Sequence, residues 1–285
     1  MKRLHSLLLA LALFAPAAMP SAAAADEADD HYRAALAHKR AGRLQEALAE
    51  ARAAIRARPT HASAHFTAGS LWRQLDNFEG ALACFRQAAR LRPGHADSHG
   101  MVGAMLIRLR RYGQAIEPLR KAAELDPDTA HHWSNLGMVY RRLDRNDEAI
   151  DAYEAGLRRH QEDVGLLNNL AVAYRRARRN EEAIILLQQA IEHHDADANA
   201  DIHFNLAVAM RAAERCEDAV PHYRKAIELG REDPGVLFDL AICYEQVGEN
   251  EAAIRTYERY IEKVSGSDAA AAQRARDTIE RLRRR

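Results

Sequence analysis

Small residues recur along this chain at a fixed spacing, and large apolar residues accompany most of them. Seven alanines are separated by 34, 34, 34, 34, 36 and 34 residues, and another alanine or a glycine stands twelve residues before each. Four residues after six of these alanines stands leucine, phenylalanine or tyrosine. The pattern predicts pairs of antiparallel helices that approach closely where the small residues meet. A period of this length is typical of an array in which each helix pair buries its apolar face against its neighbours. The seven alanines are Ala47, Ala81, Ala115, Ala149, Ala183, Ala219 and Ala253.

Seven repeat units follow when each alanine is counted as position 20 of its unit. Pro59, Pro93 and Pro127 then stand at position 32 of the first three units. Proline cannot continue a helix, so we expect it to end the second helix of each of these units. The predicted units span residues 28–61, 62–95, 96–129, 130–163, 164–199, 200–233 and 234–267.

The unit resembles the tetratricopeptide repeat, whose pattern runs tryptophan, leucine, glycine, tyrosine, alanine, phenylalanine, alanine and proline. The resemblance covers residues 28 to about 267. It implies an all-α, right-handed superhelical solenoid of helix–turn–helix units, with the first helix of each unit lining the concave side. The fourth unit follows the pattern best, through Trp133, Leu136, Gly137, Tyr140, Ala149, Tyr153 and Gly156.

Residues 268–285 are predicted to form a capping helix. Ser267 or Asp268 can cap its start, and the face opposite its apolar stripe is rich in arginine. A terminal helix that is apolar on one side and polar on the other is what a repeat array needs at its end. The apolar stripe consists of Ala272, Ala275, Ile279 and Leu282, which share one face at helical spacing.

Residues 1–25 resemble a secretory signal peptide. A basic start at Lys2 and Arg3 precedes an apolar stretch, residues 7–14, which is too short to span a bilayer. The triplet that ends at Ala25 has the small residues of a cleavage site. We therefore expect cleavage near Ala25 and export, to the periplasm if the host is Gram-negative. An uncleaved anchor or a misassigned start is the alternative.

Charge and motifs exclude some function classes. Basic and acidic residues number 41 each, so the overall charge does not favour nucleic acid as a partner. The catalytic motifs of metalloproteases, α/β-hydrolases and nucleotide-binding enzymes are absent from the sequence. We therefore predict a chain that is not an enzyme and needs no cofactor.

A basic stripe is predicted along the concave side at positions 12 and 13. Guanidinium groups in successive units would attract anions and could hold carboxylates in a bidentate way. The alternative is stabilisation of helix ends, because these residues close the first helix of each unit and a cation there is favoured by about 0.3–1 kcal/mol. The stripe consists of Lys39, Arg40, Arg73, Arg108, Arg141, Arg142, Arg175, Arg176 and Arg211.

An asparagine row is predicted at position 6, with Asn135, Asn169 and Asn205 in successive units and Asp239 in the next. A side-chain amide both donates and accepts hydrogen bonds, so a ladder of amides can hold an extended backbone without reading its sequence. In the resembled family such ladders hold peptides in this way. The alternative is that these amides merely face water.

Aromatic residues at position 5 are the third candidate feature of the concave side. They could anchor a partner or pack between neighbouring helices. A family variety that clamps carboxylates places lysine or arginine here, and this chain does not. Position 5 is occupied by Tyr32, Phe66, Gly100, Ser134, Asn168, Phe204 and Phe238.

Histidines at His61/His65 and His95/His99 stand four residues apart, which is the spacing of a two-histidine metal site. The preceding prolines place the first histidine of each pair at a helix entrance, and no further ligand is evident. No metal site is therefore predicted.

Cysteine is present at three positions, an odd number for an exported protein. Cys216 in the sixth unit and Cys243 in the seventh fall on the same side of the array, so they can form a disulfide. The alternative is that both are small core residues.

These features together predict a scaffold that holds an extended peptide or protein segment in its groove, in envelope assembly or secretion. Two alternatives stay open: capture of an anionic glycan or lipid head group by the arginines, and recruitment of a separate enzyme. Self-association through an exposed end also stays open.

Overall fold

The computed structural model describes residues 22–192 and 198–284, with side chains from residue 26 onward. These residues form fifteen helices and no strand, so the prediction of an all-α helical repeat fold is confirmed. The chain divides into two compact bodies, Met1–Leu91 and Arg92–Arg285, which we call the N-terminal body and the C-terminal body.

The N-terminal body holds two helical hairpins. Its interior is rich in alanine, and its larger buried residues include Leu48, Leu71, Leu82 and Phe85. The first helix begins at Ala22 and so includes the last four residues of the predicted signal peptide; residues 1–21 of that prediction lie outside the described part. The helices are α1 (Ala22–Arg40), α2 (Leu44–Ala57), α3 (Ala62–Gln74) and α4 (Phe78–Leu91).

The C-terminal body holds five helical hairpins and a final helix. In each hairpin the two helices pack on each other, and the second also packs on the first helix of the next hairpin. The helices are α5 (Ala96–Arg108), α6 (Tyr112–Leu125), α7 (Ala130–Arg142), α8 (Asn146–Leu157), α9 (Val164–Arg176), α10 (Asn180–Glu192), α11 (Ala200–Ala212), α12 (Cys216–Glu228), α13 (Pro234–Gln246), α14 (Asn250–Val264) and α15 (Ala269–Arg283).

Helix crossings depend on the small residue at position 8. In the fourth unit, a β carbon added to Gly137 would lie 2.5 Å from Cε1 of Tyr153, the large residue at position 24. Real β carbons do not approach other atoms so closely, so the tyrosine ring occupies the space that the glycine leaves. The pairing of a small position 8 with a large position 24 is therefore the contact that closes the hairpin.

The turn inside each hairpin contains a residue in the left-handed backbone region. It falls at position 15 in every unit, which the sequence pattern did not reveal. Only two units use glycine there, and five use a residue with a side chain, for which this conformation is unfavourable. The residues are Gly42, Asp76, Arg110, Asp144, Arg178, Glu214 and Gly248, with φ between 55° and 83°.

Second helices end before the predicted prolines: α4 ends at Leu91 and α6 at Leu125, two residues ahead of Pro93 and Pro127. The carbonyl oxygen of each proline accepts a hydrogen bond from the ring six residues later. His99 Nε2 lies 2.9 Å from the Pro93 oxygen, and Trp133 Nε1 lies 3.0 Å from the Pro127 oxygen. In the N-terminal body the corresponding pair is His65 and Pro59, at 2.9 Å.

The final helix agrees with the predicted cap. Asp268 accepts a hydrogen bond from the Ala271 backbone N–H at 2.8 Å, which satisfies the first turn. On the polar side, Arg281 Nη2 lies 2.9 Å from Glu245 Oε1 in α13. The four residues of the predicted apolar stripe, Ala272, Ala275, Ile279 and Leu282, are all buried.

Candidate binding face

First helices of consecutive units contact one another along the C-terminal body, in the pairs α5–α7, α7–α9, α9–α11 and α11–α13. Their exposed sides therefore form one continuous surface. We call the part formed by α7, α9, α11 and α13 the first-helix face. It carries the predicted asparagines and most of the predicted arginines.

The asparagines of this face link neighbouring units. Asn169 Nδ2 in α9 donates to Ser134 Oγ in α7 at 3.1 Å. Asn205 Nδ2 in α11 donates to Asn168 Oδ1 in α9 at 2.8 Å. Among the described residues, the amide oxygens of Asn169 and Asn205 and the side chain of Asn135 have no hydrogen-bond partner. Asn169 and Asn205 are thus each held by one hydrogen bond that the amide nitrogen donates. Their amide oxygens remain available to accept hydrogen bonds from a ligand.

Asp239 ends this row with a charge in place of an amide. Its Oδ1 lies 3.1 Å from Arg211 Nη2 in α11, and its Oδ2 accepts from the Tyr223 hydroxyl at 3.4 Å. Burial raises the pKa of the Asp239 carboxyl, and the Arg211 guanidinium opposes this. Burial also raises the pKa of the Tyr223 hydroxyl, which therefore stays protonated as a donor.

The arginines of the predicted basic stripe differ in whether they form an ion pair and in how far they are buried. Arg211 is paired with Asp239, and Arg176 Nη1 lies 3.7 Å from Asp144 Oδ1. The Nε atoms of Arg141 and Arg175 are buried without a hydrogen-bond partner in the described part of the chain. Burial lowers the pKa of Arg175, and the neighbouring Arg176 and Arg211 lower it further.

The other residues of the basic stripe, apart from Lys39, are exposed. Arg142 and Arg108 are exposed at the ends of α7 and α5. Lys39, Arg40 and Arg73 belong to the N-terminal body, with Arg40 and Arg73 exposed. Both interpretations of the stripe, anion binding and stabilisation of helix ends, remain predictions.

The aromatic residues at position 5 pack on phenylalanine or tyrosine rings in three units and on a histidine ring in the first. Phe238 is 39% exposed on the first-helix face and contacts Tyr257 and Tyr260, with ring centroids 6.1 and 5.2 Å apart. Phe204 is half-buried, and the Arg231 guanidinium lies 3.9 Å from its ring centroid. In the N-terminal body, Phe66 packs edge-on against Phe85 and Tyr32 packs against His61, with centroids 5.3 and 4.8 Å apart.

Cysteines 216 and 243 are joined in the structure, where Cys216 at the start of α12 and Cys243 in α13 have Cα atoms 4.9 Å apart. Both side chains are buried. Cys84 is unpaired and half-buried, and burial raises the pKa of its thiol.

The two histidines of each pair, His61/His65 and His95/His99, make different hydrogen bonds. His61 and His95 precede α3 and α5, and their Nδ1 atoms accept from the backbone N–H of Ala64 and Ser98, both at 3.2 Å. The prediction that the first histidine of each pair stands at a helix entrance is confirmed. In the described ranges no three histidine, cysteine or acidic side chains lie close enough to hold a metal ion.

Sequence reasoning missed a buried histidine. His132, at position 3 of the fourth unit, is 5% exposed, and neither ring nitrogen has a hydrogen-bond partner among the described residues. Burial lowers its pKa, while Asp126 and Asp97 oppose the shift. The signal was available, because the corresponding residues of the next three units are Leu166, Ile202 and Val236.

Comparison with known families gives matches along most of the chain. The model of the Cilia and flagella-associated protein 70 C-terminal domain, a tetratricopeptide repeat domain, matches residues 3–236. A second tetratricopeptide repeat model matches residues 210–276. No curated protein matches the chain.

Solved structures share the fold at low sequence identity. YrrB, described as a tetratricopeptide repeat protein with an unusual peptide-binding site, is 20% identical with a TM-score of 0.57, over 68% of this chain and 97% of YrrB. MamA from Desulfovibrio magneticus RS-1 is 20% identical with a TM-score of 0.55, over 60% and 97% of the two chains. Pseudomonas aeruginosa pilF is 17% identical with a TM-score of 0.59, over 80% and 99%.

None of the helices in the described residues has the length and apolar character needed to cross a membrane.

Proposed function

The chain belongs to the tetratricopeptide repeat family, and on that basis we propose that it is a non-catalytic scaffold whose first-helix face binds an extended segment of another protein. The asparagine row is the observation that carries this proposal. Asn169 and Asn205 each donate to a side chain on the first helix of the preceding unit, and their amide oxygens have no hydrogen-bond partner among the described residues. Such oxygens can accept the backbone N–H groups of a bound segment.

The binding of peptide by a structural relative supports this proposal. YrrB is described as having a peptide-binding site. At 20% sequence identity, the similarity between this chain and YrrB shows only that they share a fold. The argument for peptide binding by this chain therefore depends on its own amide row.

Export is the second part of the proposal. The sequence pattern of residues 1–25 supports cleavage near Ala25 and a periplasmic location, and hence a role in envelope assembly or secretion. N-terminal sequencing of the protein recovered from the periplasmic fraction tests it. A first residue at or near Asp26 is the expected result, and recovery of an intact N terminus from the cytoplasm would contradict it.

An oxidised Cys216–Cys243 pair belongs to the same proposal, because disulfides persist in oxidising compartments. The pair would join the sixth and seventh units across a sequence separation of 27 residues. Thiol titration of the denatured, unreduced protein should find one thiol, that of Cys84, and three after reduction. Three thiols before reduction would show that the pair is not formed.

Comparative capture tests the binding proposal. The affinity-tagged full chain and its Asn135/Asn169/Asn205→Ala variant are each used to capture proteins from the native cells. We expect a protein that the wild type captures and the folded variant does not. Matched circular dichroism spectra and unfolding curves establish that the variant is folded.

Two other outcomes of the capture would contradict the proposal. A protein retained equally by both forms would place binding elsewhere on the chain. Loss of a glycan or lipid ligand on Arg141/Arg175→Gln, with no captured protein affected by the asparagine variant, would favour the anion-capture alternative.

A further inference from the structure

The Arg175 side chain lies in a cluster whose positive charge is not balanced. The cluster comprises Arg175, Arg211, Asp239 and the Tyr223 hydroxyl, and its one carboxylate interacts electrostatically with both guanidinium groups. That carboxylate pairs with Arg211 at 3.1 Å. No carboxylate of the described residues lies within ion-pair distance of Arg175. One cation of the cluster is thus left without an anion.

Burial of Arg175 increases the free-energy cost of leaving its charge without an anion. Arg175 is half-buried, and its Nε is covered without a hydrogen-bond partner in the described part of the chain. Burial lowers the pKa of the Arg175 guanidinium and the charges of Arg176 and Arg211 lower it further, while Asp239 and Tyr223 oppose the shift without cancelling it. A partly desolvated cation gains more from an anion than an exposed one does. The cluster therefore favours an incoming anionic group on its exposed side.

Neighbouring residues of the face indicate what kind of molecule carries this anion. Asn169 precedes Arg175 by six residues in α9, which is about 9 Å along a helix. Phe238 stands beside Asp239 in α13 and is 39% exposed. An amide, a free guanidinium and an open aromatic ring in this order suit an extended peptide with an acidic group and an apolar side chain. An extended peptide supplies all three counterparts in one chain: backbone N–H groups for the amide oxygens, a carboxylate for Arg175 and an apolar side chain for Phe238.

We propose that Arg175 binds a carboxylate of the partner segment, while Phe238 contacts an apolar residue of the same segment. This inference rests on the proposed function and specifies its ligand. The carboxylate is that of an aspartate or glutamate side chain, or the C-terminal carboxylate of the segment. Arg211 does not bind this carboxylate, because its guanidinium already forms an ion pair with Asp239.

Selection from random peptides provides the test. One library displays peptides internally and a second displays them with a free C terminus. Both are selected on the full-length wild type, on Arg175→Gln, and on Arg274→Gln as control. Arg274 is exposed on α15, so its replacement removes the same charge away from the cluster. Arg175→Met also removes the charge while keeping a long side chain, and replaces the glutamine variant if that is unstable.

Expected results are specific to Arg175. Wild type and Arg274→Gln should enrich peptides with an acidic and an apolar residue, and Arg175→Gln should lose only the acidic preference. Replacing glutamate by glutamine in a selected peptide should weaken its binding to wild type about tenfold and leave its binding to Arg175→Gln nearly unchanged. Enrichment confined to the second library would assign the carboxylate to the C terminus.

Contrary results separate the two proposals. Peptides enriched on wild type without an acidic residue, or an acidic preference that persists on Arg175→Gln, would overturn this inference and leave the proposed function standing. Failure of wild type to enrich any peptide would overturn the binding of extended segments, and this inference with it.

Discussion

Arg211 in α11 and Asp239 in α13 form an ion pair across neighbouring units, with Nη2 3.1 Å from Oδ1. Their side chains are 31% and 19% exposed, so both are largely removed from water. The seventh unit thus carries a paired carboxylate where the three preceding units carry an amide. Removal of either partner leaves a partly buried charge unpaired. The free energy of unfolding therefore depends on this ion pair of the first-helix face.

Asp239→Asn should lower the free energy of unfolding by about 1–2 kcal/mol, since Arg211 and Arg175 would then share no carboxylate. Urea denaturation of the two proteins measures the difference. Glu251→Gln is the control, because Glu251 is 92% exposed and its replacement should change stability by less than about 0.5 kcal/mol. Equal stability of wild type and Asp239→Asn would show that the pair contributes nothing.

Gly100→Ala tests how one unit makes room for the next. A β carbon at Gly100 would lie 2.8 Å from Cε1 of the buried His132 ring. We expect a loss of about 1–3 kcal/mol in the free energy of unfolding, since the ring would have to shift within a packed interior. Thermal and urea unfolding measure it.

Gly113→Ala is the matched control for this steric argument. No atom lies within 4 Å of a β carbon built at Gly113, which stands in the first turn of α6. That substitution should be neutral or slightly stabilising, because alanine favours helix. The loss caused by Gly100→Ala should shrink when His132 is also changed to alanine. An undiminished loss in the double variant would place the clash elsewhere.

His132 should make stability fall in mild acid. Its pKa in the folded protein is lowered by burial, whereas in the unfolded chain it has its ordinary value of about 6.5. The unfolded state then binds the proton more readily, so stability is full above pH about 6.5 and decreases as the pH falls towards the lowered pKa.

His132→Leu isolates this contribution, because leucine occupies the same position in the next unit as Leu166. The variant should show a shallower loss of stability below pH about 6.5, measured by urea unfolding across a pH series. His61, whose pKa burial also lowers, is present in both proteins and cancels in the comparison. Identical pH profiles would show that His132 titrates normally in the folded state.

Arg110→Gly and Arg178→Gly should each stabilise the chain. Both arginines are exposed and hold φ values of 56° and 60°, a conformation that glycine adopts without strain. We expect a gain of about 0.5–1 kcal/mol from each, after allowing for the extra freedom of glycine in the unfolded chain. Gly248→Ala, at the same turn position with φ 83°, should destabilise by a similar amount. A loss on either arginine substitution would contradict this.

Much of the fold could be predicted from the sequence because its signals are periodic. A small residue stands at position 8 of every unit and a large one at position 24 of six, and they meet as Gly137 and Tyr153 do, so successive repeats give the same indication. The helix ends before Pro93 and Pro127 follow from the missing N–H of proline. These rules act within one unit or between immediate neighbours.

The candidate site was less predictable because it depends on side chains of adjacent units. The row of asparagines could be read from position 6, but the bond from Asn205 to Asn168 requires the lateral packing of two first helices. The pairing that occupies Arg211 and leaves Arg175 without an anion depends on Asp239, a single departure from the repeat. Glycine at position 15 in two units was the one overlooked signal for the left-handed turns.

Site-specific photo-cross-linking in the native cells tests the central claim most directly. A benzophenone amino acid replaces Phe238 on the first-helix face in one protein and Ile185 on α10 in another. Both side chains are apolar and exposed, by 39% and 62%, so they form a matched pair. We predict a covalent adduct with a partner protein from position 238, absent from position 185 and abolished by Asn169/Asn205→Ala. Adducts from position 185 alone, or adducts from position 238 that survive the asparagine substitutions, would contradict segment binding on the first-helix face.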